Sequence, residues 1–363
     1  MSNALGRVTY PGEYVRGDGA LREIGKISAK LGKKVFIMGG KTALAKVQQQ
    51  IEDCLKKEAL EIASVKWFGG ESSWANVNAM TENAKASGAD LIIAVGGGKA
   101  MDTGKMAAHK CGLPLITVPT VAATCASVAA VAVVYSANGE FEEVYEMDNA
   151  PEVVLVDTRV ILEAPLRHLA AGLGDTLAKW YEYRVSIVKA SKNGLSLGAL
   201  ANGRLCYDLI LQYGGKAIES VKNNQFDEAL NAAVDSIIIY AGTASLLGGT
   251  EVRAAAAHAF YNGLTVIPAA HAAGHGLTVG YGNLFLIALE GRSDEELLEA
   301  IQLSKACGVP TQLKELGDIT LDDIEIASKA ILANPDMDNM PFPVTKEMIF
   351  EAINRVDELA AKN

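Results

Sequence analysis

The run Leu91–Val95, LIIAV, passing directly into Gly96-Gly97-Gly98, constrains this chain more than any other stretch. Five consecutive apolar residues leave no face for water, so the strand must be covered on both sides, as in a parallel sheet. The glycines break the strand, and a helix is expected from about Met101. Strand, glycine turn and helix together present free backbone N–H groups at a helix N-terminus. An anion is favoured there, and the absence of side chains lets a pyrophosphate approach the backbone. The string GGGKAMD is neither GxGxxG nor a Walker loop, and glycine turns of this kind also serve structure alone. Lys99 and Asp102 make it more specific. Asp102 either caps the helix or meets the nicotinamide end of a dinucleotide.

The same alternation runs through the first half of the chain. A strand over Lys34–Met38 ends at Gly39-Gly40, a helix covers about Thr42–Leu55, and a strand at Ser64–Phe68 precedes a helix at about Ala75–Ser87. Further strands fall at Leu115–Val118 and Val153–Val156, and a hairpin pairs Val131–Tyr135 with Phe141–Tyr145 around Asn138-Gly139. This pattern predicts an α/β fold, with a doubly wound parallel-sheet nucleotide-binding domain over residues 1–165. After Pro165 helical patterns dominate: Gly174–Lys189, Ser196–Tyr213, Asp227–Leu247, Ala254–Tyr261, Gly276–Leu289, Asp294–Ala306, Leu321–Ala333 and Thr345–Leu359. They predict an all-helical C-terminal domain over residues 166–363, the one that carries the candidate metal- and substrate-binding residues considered below. At the end of the first strand an acidic residue would hold the ribose hydroxyls of NAD and repel a 2′-phosphate. Gly39, Gly40 and Lys41 stand there instead, which favours NADP over NAD.

Two domains suit 363 residues. The net charge of −10 fits neither nucleic acid nor an anionic membrane, which leaves a small molecule as the expected partner. No run approaches the roughly 20 apolar residues of a membrane span. The start, MSNALGRVTY, lacks a signal-peptide pattern. Five scattered cysteines without a CxxC point to a reducing, cytoplasmic setting. The apolar helices suit a homo-oligomer, and a monomer core equally well.

Three of the five histidines, His258, His271 and His275, fall in one short window, and Asp175 stands far upstream in GLGDTLAKW. Asp175 can be a helix cap, His258 a satisfied core residue, and His271 a loop or helix-end residue. If Asp175, His258 and His275 converge, they form a donor set for Zn²⁺ or Fe²⁺ with one position of a tetrahedron open to substrate.

The strings GGGKAMDTGK, PTVAATCAS, GLGDTLAKWYE, AAAHAFYNGLTV and HG, in that order, resemble the iron-containing alcohol dehydrogenase superfamily in its glycerol dehydrogenase branch. The resemblance implies a dehydroquinate synthase-like fold and metal ligands at Asp175, His258 and His275. Lys179 occupies the place where a four-ligand branch has His, which favours the three-ligand zinc branch. Cofactor positions fall on Gly96, Gly97, Gly98, Lys99, Asp102, Thr120, Thr124 and Tyr135, beside Gly39 and Lys41. Two departures stand out. Where glycerol dehydrogenases carry an Asp that contacts the polyol, PTVAATCAS has Cys125, as in a hydroxycarboxylate dehydrogenase subgroup that reduces 2-oxo acids with NADPH. Where the family often has His after the first ligand His, this chain has Tyr261. Cys125, Tyr261 and His271 are the expected substrate positions. The expected reaction is hydride transfer between an alcohol or 2-hydroxy acid and nicotinamide in an inter-domain cleft, 2-oxo acid reduction being favoured over glycerol oxidation. A dehydroquinate synthase-like lyase would need a Lys- and Arg-rich phosphate pocket, and Arg253 is the sole such residue around His258–His275. A non-catalytic metal- or nucleotide-binding protein is the remaining competitor.

Overall fold

The computed structural model describes residues 7–362; the first six residues of MSNALGRVTY lie outside them. The described residues pack as two compact units, Arg7–Ala164 and a second that starts at Pro165.

The first unit runs β1 (Glu13–Gly17), α1 (Ile24–Ser28), β2 (Lys34–Gly39), α2 (Lys41–Lys57), β3 (Glu61–Trp67), α3 (Trp74–Ser87), β4 (Leu91–Gly96), α4 (Gly98–Cys111), β5 (Leu115–Pro119), β6 (Val131–Tyr135), β7 (Phe141–Glu146), β8 (Val153–Asp157) and α5 (Thr158–Leu162). Six strands form one parallel sheet in the order β1-β8-β5-β4-β2-β3, and β6 and β7 form a separate antiparallel hairpin. The sheet is doubly wound, as expected. Val35, Ile37, Ile93 and Val95 pack against Leu44, Val47 and Ile51 of α2. The alternate residues Phe36, Met38, Ile92 and Ala94 pack with Met80 of α3 and Met101 and Ala107 of α4. Both faces of β2 and β4 are therefore covered, which is why LIIAV carries no polar alternation. The connections diverge between β2 and β4, a switch point of the kind that leaves a ligand crevice at the strands' carboxyl ends.

Strand β1, EYVRG, is not anticipated by the sequence reading. It is a half-exposed edge strand with two charged residues, so burial leaves little apolar signal in it. β3, the other edge, begins at Glu61 rather than Ser64. Helix α4 begins at Gly98, not Met101, because its cap is the glycine turn itself.

The second unit comprises α6 (Leu166–Ser186), α7 (Gly194–Lys222), α8 (Glu228–Asp235), a π-helical turn (Ser236–Tyr240), α9 (Ala241–Val252), α10 (Ala256–Leu264), α11 (His275–Leu289), α12 (Asp294–Ala306), α13 (Leu321–Ala333) and α14 (Lys346–Ala361). Glu228–Val252 is long and apolar enough to cross a membrane, contrary to the expectation of no such run; half of its most apolar window is buried in the fold. Helix α6 starts at Leu166 rather than Gly174. Gly172 and Gly174 look like breakers, since Gly inside a helix costs about 1 kcal/mol relative to Ala. Their neighbour explains Gly174. A Cβ there would lie 2.8 Å from the Gly276 carbonyl oxygen and 3.1 Å from Gly280 Cα of α11. A Cβ on Gly276 would lie 2.3 Å from the Ala171 carbonyl oxygen. Likewise a Cβ on Gly282 would meet the Ala257 carbonyl oxygen of α10 at 2.7 Å. Backbones of α6, α10 and α11 thus touch without intervening side chains.

Gly276→Ala is expected to force α6 and α11 apart and destabilise the protein by roughly 1–3 kcal/mol, the usual range for overpacking. Urea unfolding checks this; unchanged stability would contradict the backbone-contact reading.

Candidate metal centre and glycine loop

Asp175 lies in the middle of α6, 3% exposed, and is not a helix cap. His258 lies in the first turn of α10 and His275 is the first residue of α11. The glycine-mediated approach of these helices brings the three side chains together, with one ligand atom from each lying within 4.8 Å of the others. The His258 Nε2 and His275 Nε2 atoms are 3.4 and 3.3 Å from the same oxygen, Asp175 Oδ1. Those spacings are long for charge-assisted hydrogen bonds, and Asp175 Oδ1 makes no hydrogen bond of good geometry. They match a coordination tetrahedron instead: bonds of about 2.1 Å place neighbouring ligand atoms about 3.4 Å apart. Two imidazole nitrogens and a carboxylate oxygen suit Zn²⁺ or Fe²⁺. Among the described residues this is the one Asp/Glu/His/Cys group of such spacing.

The surroundings are charged and buried. Glu182, fully buried, sits 2.6 Å from His258 Nδ1 through its Oε2. Burial disfavours the Asp175 carboxylate, but the contacts from His258 and His275 and the Lys179 charge outweigh it and hold the group well below its ordinary range. Glu182 follows the same pattern, burial being outweighed by His258. Burial also opposes the charged form of His258, yet Glu182 and Asp175 push it up to about 9. Lys179 is buried one turn after Asp175, its ammonium 6.0 Å from the Tyr183 ring centroid. Tyr261 sets its ring edge against His275, with centroids 4.4 Å apart. His271 is not part of the group: it lies in a 3₁₀ turn with Nε2 2.7 Å from the Thr265 carbonyl oxygen.

In the first unit, Gly96 ends β4 at φ 146°, a conformation reserved for glycine, and a Cβ there would meet Ala100 Cβ at 2.9 Å. Helix α4 starts with Gly97 as a cap that has no side-chain bond, so its N-terminus is dressed by backbone alone. The Thr120 amide donates to the Gly96 carbonyl at 3.0 Å, and Thr124 Oγ1 stands 3.2 Å from where a Gly98 Cβ would be. A side chain at 98 would therefore close the cradle. Gly39 lies in register with Val95, and a Cβ there would meet the Val95 carbonyl oxygen at 2.4 Å. Lys41 places its ammonium 4.2 Å from the Trp67 ring centroid. Lys99 pairs with Glu71 at 2.5 Å and lies 5.4 Å from the Tyr135 ring centroid. Cys125 accepts backbone bonds from Val128 and Ala129 at 3.0 and 3.3 Å through its carbonyl.

Asp102 departs from the capping reading. It lies one turn inside α4, so it does not cap the helix. Its carboxylate is buried, 2.9 Å from Lys105 Nζ, and accepts the Val133 amide at 3.1 Å. Lys105 also donates to the Ala129 carbonyl at 2.9 Å and to that of Val131. Together they fasten residues 129–133, which follow the stretch carrying Thr120, Thr124 and Cys125, to α4. Sequence reasoning missed Glu182 and Lys105. A signal existed for each: Glu182 stands seven residues after Asp175, on the same helix face, and Lys105 three after Asp102.

The raised His258 value sets a pH dependence for the metal-free protein. A basic group lifted above its ordinary 6.5 contributes stability that is full below 6.5 and is lost as pH rises through about 9. The melting-temperature gap between metal-free wild type and His258→Asn should therefore narrow from pH 6.5 to 9; a constant or widening gap would contradict the assignment.

Residues 11–158 match the family described as iron-containing alcohol dehydrogenase. Over 362 residues the chain is 33% identical to a glycerol dehydrogenase of Escherichia coli O6:H1, covering 97% of this chain and 96% of that one. Over 368 residues it is 32% identical to hydroxycarboxylate dehydrogenase A of Escherichia coli K12, covering 99% of each. The crystal structure of a probable glycerol dehydrogenase from Sinorhizobium meliloti superposes with a TM-score of 0.89 at 27% identity, covering 99% of this chain and 100% of that one. With this agreement of sequence and fold, the chain belongs to the iron-containing alcohol dehydrogenase family, and is an oxidoreductase.

Proposed function

We propose that this protein is a metal-dependent, nicotinamide-linked polyol dehydrogenase that interconverts a small vicinal diol or triol, of the glycerol type, and its ketone. The observation that carries the metal dependence is the tetrahedral-edge spacing of Asp175, His258 and His275. The polyol is supported by the glycerol dehydrogenases among full-length relatives and structural neighbours, which outweigh the 2-oxo acid preference expected from sequence.

Asp175 Oδ1, His258 Nε2 and His275 Nε2 would hold the cation. When bound, the cation supplies Lewis acidity at the alcohol or carbonyl oxygen and the nicotinamide carries the hydride. The depressed Asp175 carboxyl stays anionic across the working pH range, so it binds a cation without first losing a proton. Tyr261, against His275, can exchange a proton with substrate or water in place of the missing family His. At the glycine loop, the α4 N-terminus would receive the pyrophosphate on backbone N–H groups. Lys99, released from Glu71, would add a cation there. At β2, Gly39 and Lys41 without an acidic partner at the strand end favour NADP(H) over NAD(H).

One observation favours the second reading, a 2-oxo acid reductase: Cys125 stands where glycerol dehydrogenases carry an Asp. A thiol neither accepts strong hydrogen bonds from hydroxyls nor repels a carboxylate. The discriminating assay supplies the zinc-loaded protein with NADPH or NADH and with dihydroxyacetone, 2-oxobutyrate or 2-oxoglutarate. Faster reduction of dihydroxyacetone supports the proposal, whereas faster reduction of the oxo acids replaces it with the second reading. Cys125→Asp is expected to raise kcat/KM for dihydroxyacetone relative to 2-oxobutyrate by about tenfold, on the order of 1.4 kcal/mol. An unchanged ratio would remove Cys125 from specificity.

A further inference from the structure

The backbone entering α10 is irregular. Gly249 has φ 55° and ψ −160°, and Ala255, the α10 cap, has φ −151° and ψ −137° with no side-chain bond of its own. Side chains from elsewhere hold this turn. Ser186 Oγ donates to the Val252 carbonyl at 2.9 Å, and Asn339 Nδ2 donates to the Thr250 and Ala254 carbonyls at 3.1 and 2.9 Å. Glu182 does more. Its Oε1 accepts the Ala255 and His258 amides at 2.8 and 2.9 Å, which is the work of a helix cap performed from a neighbouring helix. Its Oε2 accepts from His258 Nδ1 at 2.6 Å. One fully buried carboxylate thus fixes both the backbone and the ring of one residue.

Building on the metal-dependent reading above, we infer that Glu182 is the positioning residue of the centre and sets how tightly the cation is held. With Nδ1–H donated to a carboxylate, Nε2, the atom that faces Asp175, is the one left to give its lone pair to a cation. Substitution by glutamine retains the volume and an oxygen for the backbone amides. It turns an amide N–H₂ toward Nδ1, which selects the tautomer carrying its proton on Nε2 and so blocks the ligand atom. Asn339 braces the same turn without touching His258, and serves as the control.

The test is competition for Zn²⁺ between metal-stripped protein and a chromogenic chelator, with thermal unfolding measured with and without Zn²⁺. Glu182→Gln should weaken zinc binding by about 10- to 100-fold and shrink the zinc-induced rise in Tm. Glu182→Asp, whose shorter carboxylate reaches the ring or the backbone but not both, should also weaken it. Asn339→Ala should lower Tm equally with and without Zn²⁺ and leave zinc affinity unchanged. Wild-type affinity in both Glu182 variants, or an equal loss in Asn339→Ala, would overturn the inference and leave Glu182 as a brace of the turn. If the wild-type protein itself bound no Zn²⁺, the metal-dependent reading would fall, and the inference with it.

Discussion

Backbone contact between α6 and α11 is the constraint on which the candidate centre depends. Gly174 and Gly276 let the two helices meet where any Cβ would collide with a carbonyl oxygen, and a Cβ on Gly280 would collide with the Val309 side chain and crowd Gly174 Cα. His275 precedes Gly276 and Asp175 follows Gly174, so the residues that permit the approach are chain neighbours of those that would hold the metal. Helix α10 closes on α11 in the same way through Gly282. Interiors are packed too tightly to absorb an added methyl here without moving a helix.

Burial makes this geometry consequential electrostatically. Asp175, Glu182 and Lys179 are nearly or wholly withdrawn from water, and charges in such a place survive only when paired or bound to a cation. Glu182 answers His258 directly, whereas Asp175 Oδ1 is left with two imidazoles at coordination distance and no ordinary hydrogen bond. On the proposed reading, one of these carboxylates orients a ligand and the other would be one. In the α/β unit, the Asp102–Lys105 pair plays a comparable structural part, holding residues 129–133 at the start of β6 against α4.

How much of this was legible in the sequence followed physical rules. The β4–glycine–α4 unit was plain because a strand covered on both faces shows as an unbroken apolar run. The edge strand β1 was invisible because half-exposed residues need not be apolar. The start of α6 is hidden in the sequence because Gly172 and Gly174 weaken a helix locally, and the α11 contact that calls for Gly174 lies about a hundred residues away. Asp175, His258 and His275 could be named from residue type and family order, but their convergence is a property of packed helices, not of spacing. Glu182 lies within one of the motifs, yet its role depends on α10, which the chain reaches only after three further helices. The structural part of Asp102 is hidden in the sequence because Lys105 and the Val133 amide meet it only once β6 is placed. Cys125 is a single departure from a family pattern, and likeness to glycerol dehydrogenases along the whole chain weighs against the substrate preference it suggests.

The most direct measurement is the metal content of the purified protein and of its Asp175→Ala and His275→Ala variants after equilibration with Zn²⁺ and removal of excess metal. The account predicts one tightly held zinc per wild-type chain and its loss from both variants, with all three proteins folded. Stoichiometric zinc retained by either variant would contradict a centre built from these three residues.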